Sequence, residues 1–133
     1  MRETFHKSER LCSRKIITGL FEESESFYST FFKVAWKMSA KEFSGPARVA
    51  FVIPKRSFRH AVSRNLLKRR LREAYRKNKQ LLYSFLETEN IQVAFVIIFK
   101  ETFIPDYQSI ESSITGLFKK FIIEIREKRK RKS

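Results

Sequence analysis

Residues 60–86 read HAVSRNLLKRRLREAYRKNKQLLYSFL. The stretch holds no Gly or Pro and is rich in Leu, Arg and Lys, straight-chain residues that lose little rotamer freedom in a helix. It predicts one long helix from His60 to Leu86. At about 100° per residue, Leu67, Leu71, Ala74 and Tyr75 gather on one side as a buried stripe. Arg64, Asn65, Lys68, Arg69, Arg72 and Arg76 share a neighbouring arc of about 140°. Like charges at i and i+4 destabilise an isolated helix by roughly 0.2–0.5 kcal/mol per pair, and Glu73 offsets only part of this. A partner carrying phosphates would offset the rest, and the planar guanidinium fork suits phosphate oxygens.

Working outward, Arg48 to Pro54 holds the apolar run VAFVI, a strand stopped by Pro54, which has no N–H for a ladder. Ser39 to Pro46 (SAKEFSGP) reads as a turn. From Phe27 to Met38, Phe32, Val34 and Trp36 alternate with Lys33, Ala35 and Lys37, the period of two of a strand. Ser8 to Glu23 reads as a helix capped by Ser8, with Leu11, Ile16, Ile17, Leu20 and Phe21 on one side. Beyond the long helix, Glu87 to Asn90 breaks it and Ile91 to Phe99 is a strand. Pro105 and Asp106 open a last helix, with Ile110, Ile114, Leu117, Phe118, Phe121, Ile122 and Ile125 as its apolar side. The fold class is α+β: a single-domain α-β sandwich with a small mixed sheet, in the order roughly α-β-β-β-α-β-α. The domain spans residues 1–125, and the charge run at 126–133 is expected to be a disordered basic tail.

The chain has 133 residues, enough for one domain, and 42% hydrophobic content excludes wholesale disorder. Lys and Arg number 29 against 14 Asp and Glu, a net charge of +15. That balance points to a polyanion, nucleic acid before anionic membrane. The charge is patterned: residues 55–79 carry eleven basic residues and one acid, and Arg126 to Lys132 six and one. Fourteen Phe are enough to fill a core and leave some as stacking surfaces. Cys12 alone forms no internal disulfide and no multi-cysteine metal site. Residues 1–15 lack the apolar stretch of a signal peptide, and no run approaches the roughly 18 apolar residues of a membrane span. The expected compartment is the cytoplasm. His6 and His60 stand isolated, Glu22, Glu23 and Glu25 read as a solvated cluster, and no Gly-rich phosphate loop occurs. No catalytic residue and no metal ligand is assigned to the chain.

The sequence Arg64-Asn65-Leu66-Leu67-Lys68-Arg69-Arg70-Leu71-Arg72-Glu73 resembles the R-N-x-x-K-R-x-x-R-E motif of the bacterial ribonuclease P protein family, and Ala61-Val62 precedes it as in that family. Arg48 to Arg56 resembles the family's R-V-G-x-x-V-S-K-K segment, and Arg10-Leu11 with Phe21 its R-L…F opening. The resemblance covers roughly residues 5–125, in family order. Three departures stand out. Ser57-Phe58-Arg59-His60 is one residue longer than the family's loop and lacks its glycine. Pro54 replaces a serine. Ile17 replaces a cleft aromatic.

The resemblance implies a subunit of a ribonucleoprotein endoribonuclease that removes the 5′ leader from precursor tRNA. The chemistry would lie on a catalytic RNA with its bound Mg2+, and the partners would be ribonuclease P RNA and precursor tRNA, with no DNA and no membrane. Arg64, Asn65, Lys68, Arg69, Arg72 and Arg76 are then candidates for contact with the RNA subunit. Phe21, Phe32, Trp36, Lys55 and Arg56 are candidates for a leader-binding cleft, since single-stranded RNA is held by bases stacked on aromatics beside a cationic groove. Three alternatives stand beside this. A different RNA-binding module would share the charge. An autonomous nuclease would need its own base or carboxylate metal site. A DNA-binding protein would place the basic helix in a major groove.

Overall fold

The computed structural model describes residues 24–39 and 45–132. The helix expected at Ser8 to Glu23, with Phe21, lies outside them, as does most of the turn expected at Ser39 to Pro46. The elements run β1 (Glu25–Ser29), β2 (Phe32–Ser39), β3 (Ala47–Val52), α1 (Ala61–Asn78), α2 (Gln80–Glu89), β4 (Gln92–Phe99) and α3 (Tyr107–Lys132). They build one four-stranded mixed sheet in the order β1-β2-β4-β3, with β1, β2 and β4 antiparallel and β3 parallel to β4. The expected α+β sandwich is therefore the observed architecture. Parallel strands need a long crossover, and α1 with α2 is that crossover.

The alternation read in the sequence divides the sheet into two faces. Phe32, Val34 and Trp36 of β2, Val49 of β3 and Phe95, Ile97 and Phe99 of β4 meet the helices in one cluster. The stripe Leu67, Leu71, Ala74 and Tyr75 packs into it with no exposed surface, as do Ile110, Ile114, Leu117, Phe118, Phe121 and Ile125 of α3. Ile122 is only partly buried. Ala94 and Val96 of β4 point the other way and form a smaller cluster with Ala50, Val52 and Ile98.

Three boundaries differ from the sequence reading. The segment Phe27 to Met38 is not one strand: it turns at Thr30 and Phe31 into a hairpin closed by the Ser29–Phe32 pair. Phe31 takes φ 72°, a left-handed conformation that costs a residue with a Cβ roughly 1–2 kcal/mol and that carries no Gly or Asn signal here. Its ring offsets that cost by packing edge-on against Phe32 at 6.2 Å and tilted against Phe99 at 6.4 Å.

The long helix is interrupted at Lys79, which separates α1 from α2. The Asn78 side-chain amide donates to the Ala74 carbonyl at 2.8 Å and to Glu111 at 3.0 Å. It thereby competes with the backbone ladder where the helix breaks. α2 ends on Asn90 in the left-handed conformation, with Ile91 N–H donating to Leu86 O at 2.9 Å, a Schellman-type stop.

The stretch Arg126 to Lys132 is not a disordered tail but the last turns of α3. Its charges have local partners. Arg129 meets Glu89 at 2.8 Å and Lys128 meets Glu25 at 3.5 Å. The Arg126 guanidinium lies 5.1 Å from the Phe85 ring centroid, and Lys128 Nζ lies 5.4 Å from that of Trp36. At the other end of α3, Asp106 caps the helix through Ser109 N–H at 2.9 Å. The Ser109 hydroxyl and backbone N–H, with the Arg70 charge beyond them, hold the Asp106 carboxyl below its ordinary value.

Candidate nucleic-acid interface

Helix α1 seats its apolar stripe on the core and thereby fixes where its cations point. Asn65, Arg69 and Arg72 are exposed, while Arg64, Lys68 and Arg76 are half-buried. Two of the six are already engaged. Arg64 Nη1 donates to Phe58 O at 2.6 Å, and Arg76 pairs with Glu73 at 2.6 Å. Among the described residues no carboxylate pairs with Lys68, Arg69 or Arg72. Arg70, on the far side of the helix, donates to Pro105 O at 2.8 Å and ties α1 to the segment before α3. The motif helix therefore divides its cations: Arg64, Arg70 and Arg76 brace the protein, and Lys68, Arg69 and Arg72 present charge.

The loop entering α1 shows how the missing glycine is accommodated. After Pro54 the chain makes a 3-10 turn at Lys55–Ser57, and Phe58 drops into the core beside Phe99, ring centroids 6.0 Å apart. Arg64 holds the Phe58 carbonyl from above. No acidic residue occupies the first turn of α1, so its N-terminal partial positive charge adds to exposed Lys55, Arg56 and Arg59.

The sheet face turned away from the helices carries a second arrangement. Across the strands, Tyr28, Lys33, Ile98 and Val52 form one row. Ser26, Ala35, Val96 and Ala50 form the next, and Lys37, Ala94 and Arg48 the third. The floor is apolar and its middle is buried, with Ala35, Ala94 and Val96 at most 5% exposed, and cations stand at both ends. Tyr28 is 59% exposed, and Lys33 Nζ lies 5.7 Å from its ring centroid. Lys55 and Arg56 follow β3 at the Val52 end, so the structure brings them to the same end as Tyr28 and Lys33.

Phe32 and Trp36 do not line this face. Each is 1% exposed and points to the helix side. The Trp36 ring meets Phe121 edge-on at 5.3 Å and Phe32 meets Phe99 at 5.9 Å. The period of two is the physical reason: if Phe32, Val34 and Trp36 face the core, Lys33, Ala35 and Lys37 must face away. The expected alternation is present, and it places Phe32 and Trp36 in the core, where neither ring is accessible to a ligand. Tyr28 and Lys33, which the sequence reading does not single out, are brought side by side by the hairpin at Thr30–Phe31. Phe21 lies outside the described residues.

No group of three or more His, Cys, Asp or Glu side chains that could hold a metal comes together among the described residues. No helix among them is long and apolar enough to cross a membrane.

Comparison with known proteins gives one consistent result. The family described as Ribonuclease P matches residues 5–122. A ribonuclease P protein component of Porphyromonas gingivalis is 34% identical over 110 residues, covering 81% of this chain and 79% of the relative. One from Chlorobium phaeobacteroides is 29% identical over 124 residues, covering 86% and 85%. The solved RNase P protein of Thermotoga maritima superposes with a TM-score of 0.68 at 23% identity, over 84% of this chain and 96% of that one. The Staphylococcus aureus RNase P protein gives 0.66 at 18%, over 90% and 96%. The two structures share the fold, and the family match spans most of the sequence. On these grounds the chain belongs to the ribonuclease P protein family.

Proposed function

We propose that the protein uses two separate surfaces: the basic face of α1 to dock on its catalytic RNA, and the outer face of the sheet to hold the single-stranded leader of precursor tRNA. As a member of its family the chain is the protein subunit of a ribonucleoprotein endoribonuclease acting in tRNA processing, and the chemistry belongs to the RNA subunit. The observation that carries the docking assignment is the trio Lys68, Arg69 and Arg72, directed outward with no carboxylate partner on a helix whose opposite side is locked in the core. Such a surface loses little conformational freedom when phosphates bind it, because the helix is already ordered.

The leader assignment rests on the chemistry of the outer sheet face. Tyr28 offers a ring for base stacking, worth roughly 1–3 kcal/mol per base, and Lys33, Lys55 and Arg56 offer charge at the same end. The middle of this face is closed, with Ala35, Ala94 and Val96 buried, so the contact is expected at its exposed Tyr28 end. Magnesium is assigned to the RNA subunit, whose phosphate oxygens are the hard ligands that ion prefers. The assembled enzyme provides the test. Tyr28→Ala and Lys33→Ala should weaken affinity for leader-bearing precursor tRNA and leave affinity for mature tRNA unchanged. Equal losses for both ligands would remove the leader from this face.

A further inference from the structure

Phe103 is 51% exposed, between β4 and α3. A single exposed aromatic is ordinary on a protein surface; the setting of this one is not. Its ring stands edge-on to Phe31 at 5.8 Å, and Phe31 is held in its left-handed conformation beneath it. Lys100 N–H donates to the Phe31 carbonyl at 2.8 Å, fixing the hairpin turn to the start of the segment that carries Phe103. Arg70 of α1 holds the other end of that segment through Pro105 O. Phe31 continues inward to Phe99, and Phe99 to Phe58, whose carbonyl receives Arg64. An unbroken line of rings therefore runs from the entry of the motif helix to one exposed ring. The Lys100 side chain is also exposed, and Glu101 beside it is half-buried.

We infer that Phe103 is a stacking platform for an unpaired base of the RNA subunit, a contact in addition to the phosphate contacts of α1. The inference rests on the docking reading above. The side of the molecule decides the source of the base. Phe31, Phe32 and Phe99 belong to the helix side of the sheet, and the line through Phe99 and Phe58 leads to Arg64 at the start of α1, so the ring adjoins the entry of the docking helix and not the outer sheet face. The net charge of +15 and exposed Lys100 favour a polyanion over an apolar protein partner. A braced, exposed aromatic with an exposed lysine, Lys100, in the same segment is suited to hold a splayed-out base.

The test measures equilibrium binding of the full chain to a ribonuclease P RNA, with the melting temperature of each variant. Phe103→Ala should weaken binding about tenfold, within the range of one base–aromatic stack, with little change in melting temperature. Phe103→Tyr and Phe103→Trp should bind as the parent does, because they keep the π-face. Phe103→Leu should behave like Phe103→Ala; if it binds as tightly as the parent, the side chain is only an apolar cover for Phe31 and the inference is wrong. Unchanged binding by Phe103→Ala also overturns it. Arg69→Ala/Arg72→Ala separates the two readings. Loss of binding there but not in Phe103→Ala removes the platform alone. No loss in either removes the docking surface as well.

Discussion

Arg64 Nη1 donates to the carbonyl oxygen of Phe58 at 2.6 Å, so the first arginine of the motif reaches back over the loop that leads into its own helix. Phe58 is anchored in the core against Phe99. The contact fixes the direction in which the chain enters α1 and therefore the rotation of Lys68, Arg69 and Arg72 relative to the sheet. An arginine that sequence alone places among the RNA contacts thus also organises the surface.

Arg64→Ala and Arg69→Ala are each expected to weaken docking to the RNA subunit by ~1–3 kcal/mol, the scale of one charge-assisted contact. They differ in a second readout. Arg64→Ala should also lower the melting temperature, because the Phe58 carbonyl loses its donor, and Arg69→Ala should not. Calorimetry beside RNA-binding titrations checks this; equal thermal stability of the two variants would show that the loop stands without Arg64.

Removing Arg72 should reduce the slope of log affinity against log salt by about 1, the signature of one lost phosphate contact. Titrations at several salt concentrations read it directly. An unaltered slope would mean that Arg72 faces solvent in the complex.

Trp36→Ala should destabilise the whole protein by ~3–5 kcal/mol, as removal of a buried aromatic does, and should affect precursor and mature tRNA alike through loss of folded protein. Tyr28→Ala, at an exposed position on the outer face, should leave stability nearly intact. Denaturant unfolding of the two variants distinguishes a core ring from a surface ring. A stable Trp36→Ala protein with a leader-specific defect would reverse the assignment.

Asp106 provides a pH dependence whose sign follows from its capping role. Its folded-state carboxyl titrates below the ordinary value of 3.8, chiefly because Ser109 donates to it. The ionised cap therefore stabilises α3 fully at pH above that value, and the contribution is lost as pH falls through the lower, folded-state value. Asp106→Ala should melt earlier than the parent at neutral pH, and the difference should vanish in strong acid. A gap that persists unchanged in acid would assign the effect to something other than the carboxylate.

Much of this arrangement was legible in the sequence, because its two periods are strong. The helical stripe Leu67, Leu71, Ala74 and Tyr75 and the strand positions Phe32, Val34 and Trp36 are found buried as expected, although Ala35 on the opposite face is buried too. The hairpin was hidden because Phe31, not glycine or asparagine, takes the left-handed position, held there by ring packing that no local pattern reveals. The helix break at Lys79 was hidden because it is slight: Lys79 stays in the right-handed helical conformation, with its N–H on Tyr75 O and Tyr83 N–H on its carbonyl, each at 2.8 Å. The charged end of α3 looked disordered because its ion-pair partners, Glu25 and Glu89, come from other elements. Phe32 and Trp36 read as candidate stacking rings because aromatic side chains suit both a core and a stacked base, and only the three-dimensional arrangement shows that both are core residues.

Cleavage of a precursor tRNA at low magnesium tests the central claim most directly, with four samples: neither component, the protein alone, a bacterial ribonuclease P RNA alone, and both together. 5′ cleavage is expected only, or far more strongly, when both are present. Cleavage by the protein alone, or no stimulation of the RNA by the protein, would contradict it.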